Sequence, residues 1–482
     1  MTVTHTAYGA GGPTPSGFRL ALDRRFIALL CTTAVPVTLQ SLMSSSRTIV
    51  DALFVSHLGT DEIAAIGYAT RVVFIVIMAM LGTADGGAVI VAQFWGSGSV
   101  QKARQATALT VVIAVAIATV VSAVCFVWAR QIVAIGTENS HVISLGASYI
   151  RTVIPMIVPF AVISALAASL RCLGQAKMAM NFALVGVLLH VALAYGLVFG
   201  NWGMPELGLT GAAWATVIST YAECLLFIAY MYGRRHPMAF RFRDLRAGVG
   251  NGILRKIWRV GVPVSLGSVS WASGILVYSI VVGRAGTQEL AVLSMINPIE
   301  ATAVAFANGV ATAAAVLIGN SIGEGATEER TWSMSKALLI WNTGVAAVCG
   351  LLLLLTSFWV GKIYGDIDAG TIGVAQDTTV VLAFVFIFRM TCMTLQNGLL
   401  RAGGDTVYIF RADLACQWLI AIPLTFLTAL VWDLPFPIVF LAINSEEIVK
   451  AVVSGYRVYR RKWVQRLVEP VTGMAKGPAP IH

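Results

Sequence analysis

The sequence predicts an all-α membrane protein: twelve transmembrane helices in two six-helix bundles related by a parallel internal repeat. Three observations predict it. The first is composition: of 482 residues, 57% are hydrophobic and only 12% charged, with a mean hydropathy of +0.81. Soluble domains average about 25% charged. The second is that the apolar residues gather in long blocks. The third is that the two halves of the chain align with each other.

The blocks fall near 26–56, 63–95, 106–129, 148–170, 179–200, 209–232, 260–282, 290–320, 337–359, 378–400, 412–431 and 437–459. A spanning helix needs roughly 20 apolar residues, because lipid offers no partner to bare backbone groups. Several blocks exceed that length, so tilt or kinks are expected, and Pro36 inside the first is a candidate kink. Residues 1–25 hold Gly, Pro and Thr without an apolar segment and read as a cytoplasmic flexible tail rather than a signal peptide. The domains expected are an N-terminal bundle at 26–233, a basic linker at 234–259, a C-terminal bundle at 260–460 and a cytoplasmic tail at 461–482.

Most of the 33 lysines and arginines lie on the N-tail, the even-numbered connections and the C-tail. By the positive-inside rule both termini are cytoplasmic, in a bacterial-type inner (cell) membrane. The linker alone carries Arg234, Arg235, Arg241, Arg243, Arg246, Arg255, Lys256 and Arg259. A topology anchor at anionic headgroups explains this basic run, and with it the net charge of +10, without nucleic acid. The seven cysteines are scattered, with no C-x-x-C pair. They read as small core hydrophobes, neither disulfides nor metal ligands.

Slid by 227 residues, Val35-Pro36-Val37 falls on Val262-Pro263-Val264, Gly82 on Gly309, and Gly96 and Gly98 on Gly323 and Gly325. Slid by 230, Leu170-Arg171 and Gly174 fall on Leu400-Arg401 and Gly404. Six helices per repeat leave both halves in the same orientation, a plan transporters use with the substrate site at the repeat interface.

These segments resemble the MATE (multidrug and toxic compound extrusion) family. The matching stretches are Val35–Gly59 with Val50-Asp51-Ala52-Leu53-Phe54-Val55, Leu170–Lys177, Gly208–Thr216 and their C-terminal counterparts. The Asp on the first helix looks most like the branch that includes DNA-damage-inducible protein F. The resemblance implies twelve helices in two lobes, and export of drugs or metabolites against H⁺ or, less favoured here, Na⁺. It links an Asp at the position of Asp51 to proton binding. The branch usually carries an Asn and an Asp four apart on the fifth helix, where this chain has His190 and Ala194. Other members carry a Glu where this chain has Trp271. Loss of those oxygen ligands favours H⁺.

Gln40, Ser44, Arg47 and Asp51 share one face of the first helix, and a polar stripe there should face a cavity. The matching stripe of the seventh helix holds Gly267, Trp271, Gly274 and Tyr278. Aromatic faces attract organic cations, although Trp271 and Tyr278 could equally pack between helices. Asp51 is the expected proton-binding residue, since intramembrane acids are costly and burial favours the neutral form. Arg47 one turn earlier could instead hold it in a static ion pair. His190 could share its proton or be a neutral core histidine. Thr216 is a further cavity-lining candidate. Glu300 and Arg389 are second-site candidates, or with Glu446, Glu447 and Lys450 a structural network. Arg47, Arg71 and Arg389 in apolar blocks hint at an anionic group on the substrate. Asp85 is placed near an inner gate, and Glu223 has no partner evident in the sequence.

No G-x-x-x-x-G-K-[ST] loop and no H-E-x-x-H motif occurs, so neither an ATP motor nor a zinc protease is expected. The reading is a monomeric secondary antiporter without catalytic residues, cofactor or metal. The alternative is a lipid-linked oligosaccharide or lipid flippase, whose cleft would carry more basic residues than this chain offers.

Overall fold

The computed structural model of the chain describes residues 16–56, 60–135, 137, 139–360 and 368–468. Among these the regular structure is all helix. Twelve long helical segments follow one another: α1 (Arg24–Ser56), α2 (Thr60–Gly96), α3 (Val100–Val127), α4 (Ser140–Cys172), α5 (Ala176–Phe199), α6 (Gly208–Gly233), α7 (Ile253–Ala285), α8 (Thr287–Gly323), α9 (Glu328–Ser357), α10 (Ala369–Leu400), α11 (Thr406–Val431) and α12 (Phe436–Ile443 continuing as Ser445–Tyr459). Segments α1 to α11 are long and apolar enough to cross a membrane. The twelfth breaks at Asn444 and carries Glu446, Glu447 and Lys450, all buried, which lowers its hydropathy.

Local chemistry sets the ends. The Asn139 side chain accepts from the backbone N–H groups of His141 and Val142 to start α4, and Asp368 caps α10 through Gly370 and Thr371. Gly98 and Gly325 turn the chain after α2 and α8 at φ 78° and 81°, and Gly174 and Gly404 do so after α4 and α10 at 74° and 82°. Each pair is repeat-related, and left-handed backbone favours glycine. Pro36 and Pro263 occupy equivalent places inside α1 and α7.

The chain divides into two compact units. One takes residues through Leu39, Ala92–Ser99 and those from Ser270 on; the other takes Gln40–Val91 and Val100–Val269. Helices α1 and α7 therefore each pass from one unit to the other. In the first unit, the start of α1 packs on α8 with Thr38 and Ala34 against Gly309. In the second, the start of α7 packs on α2 with Val264 and Ser265 against Gly82. The two contacts are counterparts at the 227-residue offset. Inside the first unit, Gly96 meets the backbone of Asn320 while Gly323 meets that of Gln93, a reciprocal crossing that side chains would block.

The second unit centres on Met80, Tyr149, Ile150 and Ile157. The first has one core around Val282, Phe386, Met390 and Phe440, and another where Leu20 and Phe26 meet Leu317 and Trp463. Residues 17–21 form a short helix there, and Trp341 Nε1 donates to Ala21 O at 2.9 Å. In the basic linker, the helix Phe242–Gly250 is held by Asp244, which accepts from Arg241 N at 2.8 Å and pairs with Arg104 at 3.1 Å. Arg243 and Arg246 remain exposed.

Candidate functional site

Three helices each present two residues one turn apart at a common point in the second unit: Arg47 and Asp51 from α1, Gly186 and His190 from α5, Ser219 and Glu223 from α6. The spacing i, i+4 places each pair on one helical face. His190 Nε2 lies 2.9 Å from Asp51 Oδ1. Arg47 does not take this carboxylate; its Nη2 donates to Gly186 O at 3.1 Å and to Ser219 Oγ at 3.2 Å. The Glu223 and Asp51 carboxylates both lie within electrostatic reach of Arg47. Gly186 makes this possible: a Cβ there would sit 2.5 Å from Glu223 Oε2. His190 is fully buried, and the Asp51 side chain is 23% exposed.

Protonation follows from the partners. His190 Nδ1 is buried without a hydrogen bond. An imidazolium would bury an unpaired N–H there, which costs more than an idle lone pair. A histidine donating from Nε2 to Asp51 leaves Nδ1 as an idle lone pair.

The other candidates separate. Gln40 is half-buried and its carbonyl accepts from the exposed Ser44 at 3.0 Å. Thr216 is buried and returns its hydroxyl to Ala212 O. In the other unit, the Trp271 carbonyl accepts from Gln417 Nε2 at 3.2 Å, and Tyr278 is buried. Glu300 and Arg389 form an ion pair. Lys450 Nζ lies 3.7 Å from Glu447, 3.8 Å from Asp413 and 3.9 Å from Glu446. The arginines do not gather as an anion site: Arg47 and Arg389 have protein partners, and Arg71 is exposed. Asp85 finds Arg171 at 3.8 Å, a pairing between helices that spacing alone does not reveal. Glu223 and Asp413 were likewise hidden, each completed by a helix remote in sequence. The conspicuous signal was a glycine, Gly186, one turn before His190.

All seven cysteines are free thiols. The string Gly319-Asn320-Ser321-Ile322-Gly323 has the form G-x-S-x-G. It lies within continuous α8 with Ser321 buried, lacking the sharp turn that exposes a nucleophilic serine.

Known proteins agree with this architecture. The MatE family profile matches twice, at residues 36–196 and 263–427, so its two starts differ by the same 227 residues as the internal repeat. A probable multidrug resistance protein NorM from Rhizobium meliloti is 27% identical over 81% of this chain and 82% of its own length. A probable multidrug resistance protein YoeA from Bacillus subtilis is 22% identical over 90% and 94%. The outward-facing structure of a multidrug resistance MATE family transporter of the MOP superfamily superposes with a TM-score of 0.82, at 18% identity, over 94% of this chain and all of that one. With the profile covering more than half of its length in two repeated blocks, the chain belongs to the MatE family.

Proposed function

We propose that this chain is a proton-driven exporter of organic small molecules that works by alternating access, with Asp51 as the group that takes up and returns the coupling proton. One observation carries the reading: the half-buried Asp51 carboxylate lies 2.9 Å from His190 Nε2 while its arginine neighbour is engaged elsewhere. A carboxylate locked to arginine could not exchange a proton cheaply. One held by a neutral donor can gain a proton without stranding a buried cation. Relatives named as multidrug resistance proteins support organic substrates. The Asp51 carboxylate with an imidazole beside it supports H⁺ over Na⁺, which prefers several oxygen ligands. The positive-inside pattern supports cytoplasmic termini in an inner membrane, and a monomer is the simplest unit that contains both repeats.

Proteoliposomes loaded with ethidium test this. A pH gradient should drive flux in the wild type, and a Na⁺ gradient alone should not. Asp51→Asn should lower the pH-driven flux at least tenfold. Equal flux in the two proteins would remove Asp51 from coupling.

A further inference from the structure

The repeat offset that aligns the two halves also aligns their charged clusters. Adding 227 to the six positions of the Asp51 site carries Arg47 to Gly274, Asp51 to Tyr278, Gly186 to Asp413, His190 to Gln417, Ser219 to Glu446 and Glu223 to Lys450. Those six also meet in space, inside the other unit. Gly274 abuts the Gln417 side chain, Tyr278 lies beside Glu446, and Lys450 reaches Asp413 and Glu446. The constellation is conserved in position between the halves and rewritten in chemistry.

Charge is the part retained. The first cluster has two carboxylates and one base, Asp51 and Glu223 against Arg47. Its counterpart again has two carboxylates and one base, Asp413 and Glu446 against Lys450. The groups that act on Lys450 or on its carboxylates from the surrounding helices extend the comparison. Glu447 comes from its own helix, Cys392, Arg389 and Arg401 from α10 or its end, Cys416 and Asp413 from α11, and Tyr278 from α7. Glu300 neutralises Arg389. Four carboxylates thus stand against three bases, and one positive charge is wanting.

The polar atoms show where it belongs. Lys450 is 3.7 to 3.9 Å from all three carboxylates, too far for a hydrogen bond to any. Glu446 Oε2, Asp413 Oδ1 and the Tyr278 hydroxyl are buried with no hydrogen bond formed. The Lys450 ammonium already fills the centre a metal cation would need, and among the described residues no acidic, histidine or cysteine cluster has metal-binding geometry. Helices α10 and α11 each widen into π-turns at this level, at Thr394–Leu400 and Ala415–Ala421, a distortion frequent at functional sites.

We propose that Glu446, Glu447 and Asp413 share one proton around Lys450, forming a second proton-binding site that is the repeat counterpart of the Asp51 site. A proton on Glu446 Oε2 turns an idle buried acceptor into a donor toward the Tyr278 oxygen or a neighbouring carboxylate. Its use in transport rests on the proton-coupled reading above; the bound proton itself does not.

Infrared difference titration of the protein in reconstituted membranes reads the carbonyl stretch of a protonated carboxylic acid directly. The expected result is a carboxylic-acid band that persists in Asp51→Asn/Glu223→Gln and is lost or shifted in Glu446→Gln. In Lys450→Met the band should grow, because removing the ammonium demands a further proton. A band unchanged by Glu446→Gln, Glu447→Gln and Asp413→Asn, each confirmed folded by thermal melting, would overturn the proposal. So would a double N-bundle variant with no protonated carboxyl at any pH. If the band behaves as expected while ethidium flux ignores the pH gradient, the site stands and the coupling reading alone fails.

Discussion

Arg47 and Glu223 should prove to be one energetic unit although no short ion pair joins them. In Arg47→Met the guanidinium's bonds to Gly186 O and Ser219 Oγ vanish. Hydrogen bonds to charged groups contribute about 1.5–3 kcal/mol. The same change strips the nearby cation from Glu223, which is 8% exposed. Unit charges roughly 5 Å apart at an effective dielectric of about 20 interact by about 3 kcal/mol. Together these give about 4.5–6 kcal/mol of destabilisation, at or just above the roughly 3–5 kcal/mol found when one member of a buried pair is removed. Glu223→Gln leaves both Arg47 bonds in place and should cost about 1–2 kcal/mol. The double variant should fall short of the sum by about 2 kcal/mol, since a neutral glutamine no longer needs the guanidinium. Equilibrium unfolding in mixed micelles with denaturing detergent measures all three. Costs that add to within about 0.5 kcal/mol would refute the coupling and leave Glu223 a solitary buried acid.

Gly323→Val should destabilise by about 1–3 kcal/mol, because its Cβ would enter the backbone of Gln93; the reciprocal Gly96→Val should do the same against Asn320, each read by thermal melting. Trp463→Ala empties a fully buried site against Gly403 and should cost about 3–5 kcal/mol in the same assay. Glu324, just past the end of α8, is pushed up to about 7 by burial, with Arg330 pulling the other way. A raised carboxyl contributes stability at low pH that is lost as pH rises through about 7, so Glu324→Gln should gain in melting temperature over the wild type on the alkaline side and show little gain in acid.

The frame was legible because it rests on local and periodic signals. Apolar block length marks the spans, and Pro36/Pro263, Gly98/Gly325 and Gly174/Gly404 mark repeated kinks and turns whose backbone demands those residue types. The stripe of Arg47 and Asp51 followed from helical spacing. What spacing could not supply was the partner across helices. Arg47 and Asp51 are one turn apart on α1, yet the carboxylate goes to His190 on α5 and the guanidinium turns toward α6. Glu446 and Lys450 are readable as neighbours on one helix, but Asp413, the further carboxylate beside Lys450, arrives from α11. Arg71 sits in an apolar block and is nevertheless exposed, so an apolar neighbourhood in sequence did not imply burial.

The rewriting of the six repeat positions bears on how coupling could be divided. Where Asp51 stands at one site, the other has Tyr278, which keeps a hydroxyl but surrenders the charge. Where Glu223 stands, the other has Lys450, which reverses it. Gly186 and Ser219 become Asp413 and Glu446, restoring the lost acids on the two other helices. Such compensation keeps each cluster at two carboxylates and one base, moving one acid from α7 to α11 and keeping the other on α12. In the first cluster an acid sits on α1, a helix whose residues are shared between the two units. In the second, the acids sit on helices wholly inside one unit, with only Tyr278 on the passing helix α7. If the Tyr278 hydroxyl links the second site to α7, losing it should uncouple the site from flux without removing its proton. Tyr278→Phe should leave the carboxylic-acid band of the C-terminal cluster in place while reducing pH-driven ethidium flux severalfold. Loss of the band in Tyr278→Phe, or flux equal to wild type, would show that the hydroxyl does not link proton occupancy to the helix.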